Sequence, residues 1–92
     1  MAQAVPVVLI ENERIRVTRW EFPPGAATGF HRHEHDYVVV PIVDGKLRLL
    51  EADGERIAEL TVGVPYFREE GVEHDVVNAN DYEFAFVEVE LL

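Results

Sequence analysis

The chain contains no cysteine, which excludes disulfides, thiolate metal ligands and thiol nucleophiles together. Cations are scarce as well. Eight Lys and Arg stand against eighteen Asp and Glu, a net charge of −10, and a surface of that sign repels nucleic-acid phosphates and anionic lipid headgroups. Neither a nucleic acid nor a membrane is therefore expected as a partner. The apolar stretches are short, and the N-terminus lacks the basic flank and extended apolar run of a signal peptide, so a cytoplasmic protein is the expectation. Helical periodicity is missing too. The best candidate, residues 51–60, contains Gly54 and reads better as a hairpin.

What is present is ample core material: 48% apolar residues, including one Trp, three Tyr and five Phe. That content argues for a folded domain with an acidic, solvated shell instead of a disordered chain. Ninety-two residues suit one domain, 1–92, with one site. So small a core is commonly reinforced by a metal or by a second subunit.

Apolar and polar residues alternate, with turn residues at short intervals. The pattern predicts strands near 5–10, 15–22, 28–33, 37–43, 47–51, 56–62, 65–68, 73–77 and 82–91. Asp44-Gly45 and Asp53-Gly54 fit tight hairpin turns. Nine short strands with little helix point to an all-β sandwich or closed barrel. Residues 1–12 hold an apolar strand that needs a sheet to join, and the expectation is a homodimer in which it pairs with the partner.

All four histidines fall in two places, His31, His33 and His35 together and His74 some forty residues on. On a strand, side chains at i and i+2 share a face, so His31 and His33 aim at one point while Arg32 turns away. A third imidazole from a neighbouring strand completes a three-nitrogen face for one divalent metal ion, with positions left open for water or substrate. His74 is the candidate. A His-x-His pair by itself is more often a hydrogen-bonded or surface pair.

The second histidine region alters that balance, because the two regions together carry a recognisable pattern. Gly25, His31, His33 and Gly45 resemble the first cupin motif, and Gly63, Gly71, His74 and Asn78 resemble the second, with Glu69 where its proline usually stands. The runs HRHEHDYVVVPIVDG, ELTVGVPYF and GVEHDVVNAN are similar to small single-domain cupins of the beta-alanine degradation protein BauB family. The resemblance implies a cupin-type double-stranded β-helix, a jelly-roll barrel, and a role near β-alanine degradation. It also implies His31, His33 and His74 as metal ligands.

The chain departs from the pattern where a glutamate of the first motif usually adds a carboxylate to the metal. Spacing to Gly45 puts Val38 there, whereas strand parity with His31 and His33 puts Tyr37 there, and a one-residue bulge would reconcile the two counts. Tyr37 is expected to face the site, as a group near the metal or a weak further ligand. Without the carboxylate, three neutral imidazoles leave the ion's double positive charge uncompensated, which favours a small anionic ligand. Iron, zinc, nickel, manganese and copper are not distinguished by such a set.

His35 shares the parity of His31 and His33 and is a candidate further ligand or proton shuttle, although an exposed histidine at a strand turn is the commoner case. Trp20, Phe67, Phe84 and Phe86 are expected in the core, with Trp20 and Phe86 as candidates for the cavity mouth. Glu88 and Glu90 alternate with Val87, Val89 and Leu91 and are expected on the exposed face of the last strand. Gly63, Gly71 and Asn78 are expected to permit turns. Two functional classes remain: a metal-dependent enzyme of dioxygenase-like or isomerase-like type, and a non-catalytic module that holds a small ligand. A buried acid or base on the inner wall separates them, and none is evident from the sequence.

Overall fold

The computed structural model describes residues 2–92 and contains nine β-strands, with no helix among the described residues. They are β1 (Val5–Glu11), β2 (Ile15–Phe22), β3 (His31–Arg32), β4 (Asp36–Pro41), β5 (Gly45–Glu51), β6 (Gly54–Leu60), β7 (Tyr66–Arg68), β8 (Glu73–Asn78) and β9 (Phe84–Leu91). They form a five-stranded sheet in the order β1-β2-β9-β4-β7 and a four-stranded sheet in the order β3-β8-β5-β6. Every strand pair is antiparallel. Each expected strand is present, but β3 is reduced to two residues.

The alternation of side chains along paired strands sorts the inner face of the larger sheet into rows. Phe22 opposes Phe84, and the next row runs Trp20, Phe86, Pro41. Phe22, Phe84 and Phe86 are almost fully buried, with ring centroids 5.5–6.5 Å apart, and form an apolar floor. The following rows turn polar. One runs Thr18, Glu88, Val39, Tyr66, and the last runs Arg16, Glu90, Tyr37, Arg68. The barrel is thus dry at one end and chemically furnished at the other.

Three details depart from the sequence-based expectations. Asp44-Gly45 is not a hairpin turn, because β4 and β5 lie in different sheets and the chain crosses between them there. Gly45 is needed for space: a Cβ would sit 2.8 Å from the Phe84 ring and from the Asn80 amide. By contrast, Asp53-Gly54 does close the β5–β6 hairpin, with Gly54 at φ 129°. The β1 strand pairs with β2 of its own chain, so it needs no second subunit to complete a sheet. Phe67 is 54% exposed, since its strand parity sends it to the outer face. Asn78 shapes the turn after β8 as expected, its Oδ1 accepting the Asn80 N–H at 2.8 Å. It is buried at the end of β8, its Nδ2 donating to the carbonyls of Phe22, Pro23 and Tyr82 at 2.9–3.2 Å, which ties the exit of β2 to the β8–β9 connection.

Candidate metal centre

β3 and β8 pair so that His31 lies directly opposite His74. His33 follows β3 and is held by its backbone, N–H to the Val72 carbonyl at 2.8 Å and carbonyl to the Gly71 N–H at 2.7 Å. This register turns three imidazoles to one point. The Nε2 of His33 lies 3.0 Å from the Nε2 of His31 and 3.0 Å from the Nε2 of His74. The rings meet edge to face at centroid distances of 4.7–5.0 Å. His33 and His74 are buried and His31 is half-buried.

The protonation pattern fits a cation at that point. His31 Nδ1 is 2.8 Å from the Gly29 carbonyl, which can only accept, so Nδ1 carries the proton and Nε2 presents its lone pair to the cluster. One proton among three Nε2 atoms satisfies a single pair and leaves the remaining lone pairs facing each other. A divalent ion accepts all three. Protons on the two buried rings are disfavoured as well. Burial above all, then the charge of His31, lowers His33 to about 4, and burial with the charges of His31 and His33 lowers His74 to about 3. Neutral imidazole is the form that ligates metals.

The wall facing the histidines comes from β4, β7 and β9. Tyr37 lies under His33 with ring centroids 3.9 Å apart and 17° between planes, which fixes the imidazole's orientation. The Tyr37 hydroxyl is buried without a hydrogen-bond partner, and burial raises its pKa, so it stands as a neutral phenol at the edge of the site. A cavity of about 420 Å³ opens over this group, lined also by Trp20, Tyr66, Arg68, Phe86 and Glu88. Glu88 is only 7% exposed, and burial, followed by the charge of Glu90, pushes its carboxyl up to about 7.

Residues 18–90 match the family model described as Cupin domain. The chain belongs to the cupin family. Among curated proteins this cupin is 55% identical over 89 residues to the Beta-alanine degradation protein BauB of Pseudomonas aeruginosa, covering 97% of this chain and 94% of that protein. A crystal structure of a cupin domain from Bordetella pertussis is 54% identical and superposes with a TM-score of 0.97 over 99% of this chain and 95% of that one. A Klebsiella pneumoniae protein with a double-stranded β-helix domain, at 23% identity and TM-score 0.79 over 97% and 76% of the two chains, shares the fold.

In this cupin Tyr37, not Val38, points inward from the position where the first motif usually has its glutamate, and Val38 faces outward. His31, His33 and His74 are brought together. His35 lines the cavity but lies outside that cluster. Trp20 and Phe86 sit on its apolar side, and Asp36 turns away to accept the Glu70 N–H at 2.8 Å. The expectation that Glu88 and Glu90 are exposed is wrong. β9 turns Phe84, Phe86 and Glu88 to the interior and Val87 and Val89 outward, so the buried acid missing from the sequence reading is Glu88. The signal was available: Glu88 shares the parity of Phe84 and Phe86, and two large aromatics outweigh two valines in deciding which face is inside.

Proposed function

We propose that this cupin holds one divalent transition-metal ion on His31, His33 and His74 and uses it to bind a small anionic metabolite. The observation that carries the proposal is the pair of 3.0 Å contacts among the three Nε2 atoms, together with the His31 Nδ1 anchor on Gly29. Bound there, the ion supplies a Lewis-acidic positive charge. Tyr37 sets the orientation of His33, Arg68 adds a second positive charge on the same wall, and the aromatic floor excludes water. The name of the Pseudomonas aeruginosa relative supports a role related to β-alanine degradation. Elemental analysis of protein purified without a histidine tag tests it: wild type carries close to one ion per chain, and His31→Ala and His74→Ala carry almost none. Equal metal content in all three would overturn the proposal.

The same proposal includes a homodimer, formed through the outer face of the five-stranded sheet and not by strand exchange. Ile10, Val17, Val89, Val38 and Phe67 are successive cross-strand neighbours on that face, an apolar row spanning all five strands, roughly 20 Å at ~4.8 Å per strand. The flanking row runs Val7, Arg19, Val87, Val40. A valine-rich face whose one ion pair, Arg19 with Glu21 at 2.8 Å, lies beside the apolar row complements itself, and apolar patches of this extent on small proteins mark contact surfaces. The occupant is a second copy of the chain.

A further inference from the structure

Across the cavity from the histidines, Glu88 projects from β9 between Thr18 of β2 and Val39 of β4. The charged groups around it are already engaged. On its own strand Glu90 meets Arg16 of β2 at 3.4 Å, and Arg16 also binds Glu11 at 2.9 Å. On β7, Arg68 lies 3.9 Å from Glu51 and beside Tyr66, while β4 contributes the neutral phenol of Tyr37. Among the described residues no cation lies within ion-pair distance of Glu88. A carboxyl buried in that way is costly to ionise, which is why it is pushed up to about 7, and an incoming cation offsets the cost.

We infer that Glu88 receives the ammonium group of a short amino acid whose carboxylate lies at the histidine pole. The inference rests on the metal-and-anion reading above and narrows its ligand from any small anion to a zwitterion. The two poles are near neighbours. Tyr37 stacks on His33 at 3.9 Å and pairs across the strands with Glu90, which makes Glu88 its diagonal neighbour, about 7–8 Å away between Cα atoms. Both poles line one cavity of about 420 Å³, which admits a short amino acid with two or three carbons between its charged ends and leaves room for water beside it. A plain carboxylate satisfies only the histidine pole, and a plain amine only Glu88.

Calorimetric titration of the metal-loaded protein with 3-aminopropanoate, propanoate and propylamine tests this. The amino acid binds at least about tenfold more tightly than propanoate, the expected strength of one charge-assisted hydrogen bond, and propylamine binds most weakly. Glu88→Gln brings 3-aminopropanoate down to the propanoate level and leaves propanoate unchanged. Equal affinity of the two acids for wild type overturns the inference and leaves the metal-and-anion reading standing, whether or not the variant folds. Failure of both acids to bind overturns the inference and that reading together.

Discussion

Stripped of metal, the protein should show a stability maximum near neutrality that depends on one buried carboxyl. His33 is held at about 4 and His74 at about 3, against ~6.5 in an unfolded chain. Above pH ~6.5 both are neutral in either state and contribute no slope. As pH falls below that value the unfolded chain takes up two protons that the folded protein refuses, so stability declines. Glu88 acts with the opposite sign. Its folded carboxyl is raised to about 7 against ~4.3 unfolded, so between those pH values the folded state binds the extra proton and stability rises as pH falls. One proton corresponds to about 1.4 kcal/mol per pH unit. Wild type therefore gains slightly on going from pH 7 to ~6.5, then loses about 1.4 kcal/mol per unit down to pH ~4.5. Glu88→Gln removes the opposing contribution, which abolishes the maximum and doubles the acid slope to about 2.8 kcal/mol per unit. Across two units that is roughly 3 kcal/mol for wild type and 5–6 for the variant, the latter comparable to the whole stability of a small domain. Urea unfolding in chelator, followed by Trp20 fluorescence at half-unit steps from pH 4.5 to 8, gives both curves. Parallel profiles for the two proteins, or a shallower acid limb in the variant, refute the reasoning.

Removing the Tyr37 hydroxyl deletes a buried polar atom that has no partner, so Tyr37→Phe raises the stability of the metal-free protein by about 1 kcal/mol in the same urea assay; a loss of that size means the phenol does have a partner. Two nitrogens 3.0 Å apart match bonds of ~2.1 Å at right angles, whereas a tetrahedral angle separates them by ~3.4 Å. Cobalt(II) substitution is accordingly expected to give the weak absorption of a six-coordinate ion, and an intense blue four-coordinate spectrum counts against three open positions. At micromolar concentration, light scattering reports a dimer for wild type, and Val89→Lys, which places a charge mid-row on the outer face, reports a folded monomer; a monomeric wild type removes the interface.

Residue identity and spacing were enough for the nine strands, the low helix content and the cupin assignment, because these depend on local alternation, on turn residues and on two motifs that persist in the linear order. They were enough, too, to nominate His31, His33 and His74, since i, i+2 parity on a strand is a property of the chain by itself. Which strands share a sheet was decided only in three dimensions. Asp44-Gly45 looks like a hairpin turn from its residues, and only the placement of β4 between β9 and β7 turns it into a crossing. Inside and outside of β9 were settled in the same way. Glu88-Val89 has two readings of opposite facing, and the pairing of Phe84 and Phe86 with Phe22 and Trp20 selects the one that buries an acid. A local pattern fixes the period of a strand but not its phase, and the phase follows from which neighbours the largest side chains find across the barrel.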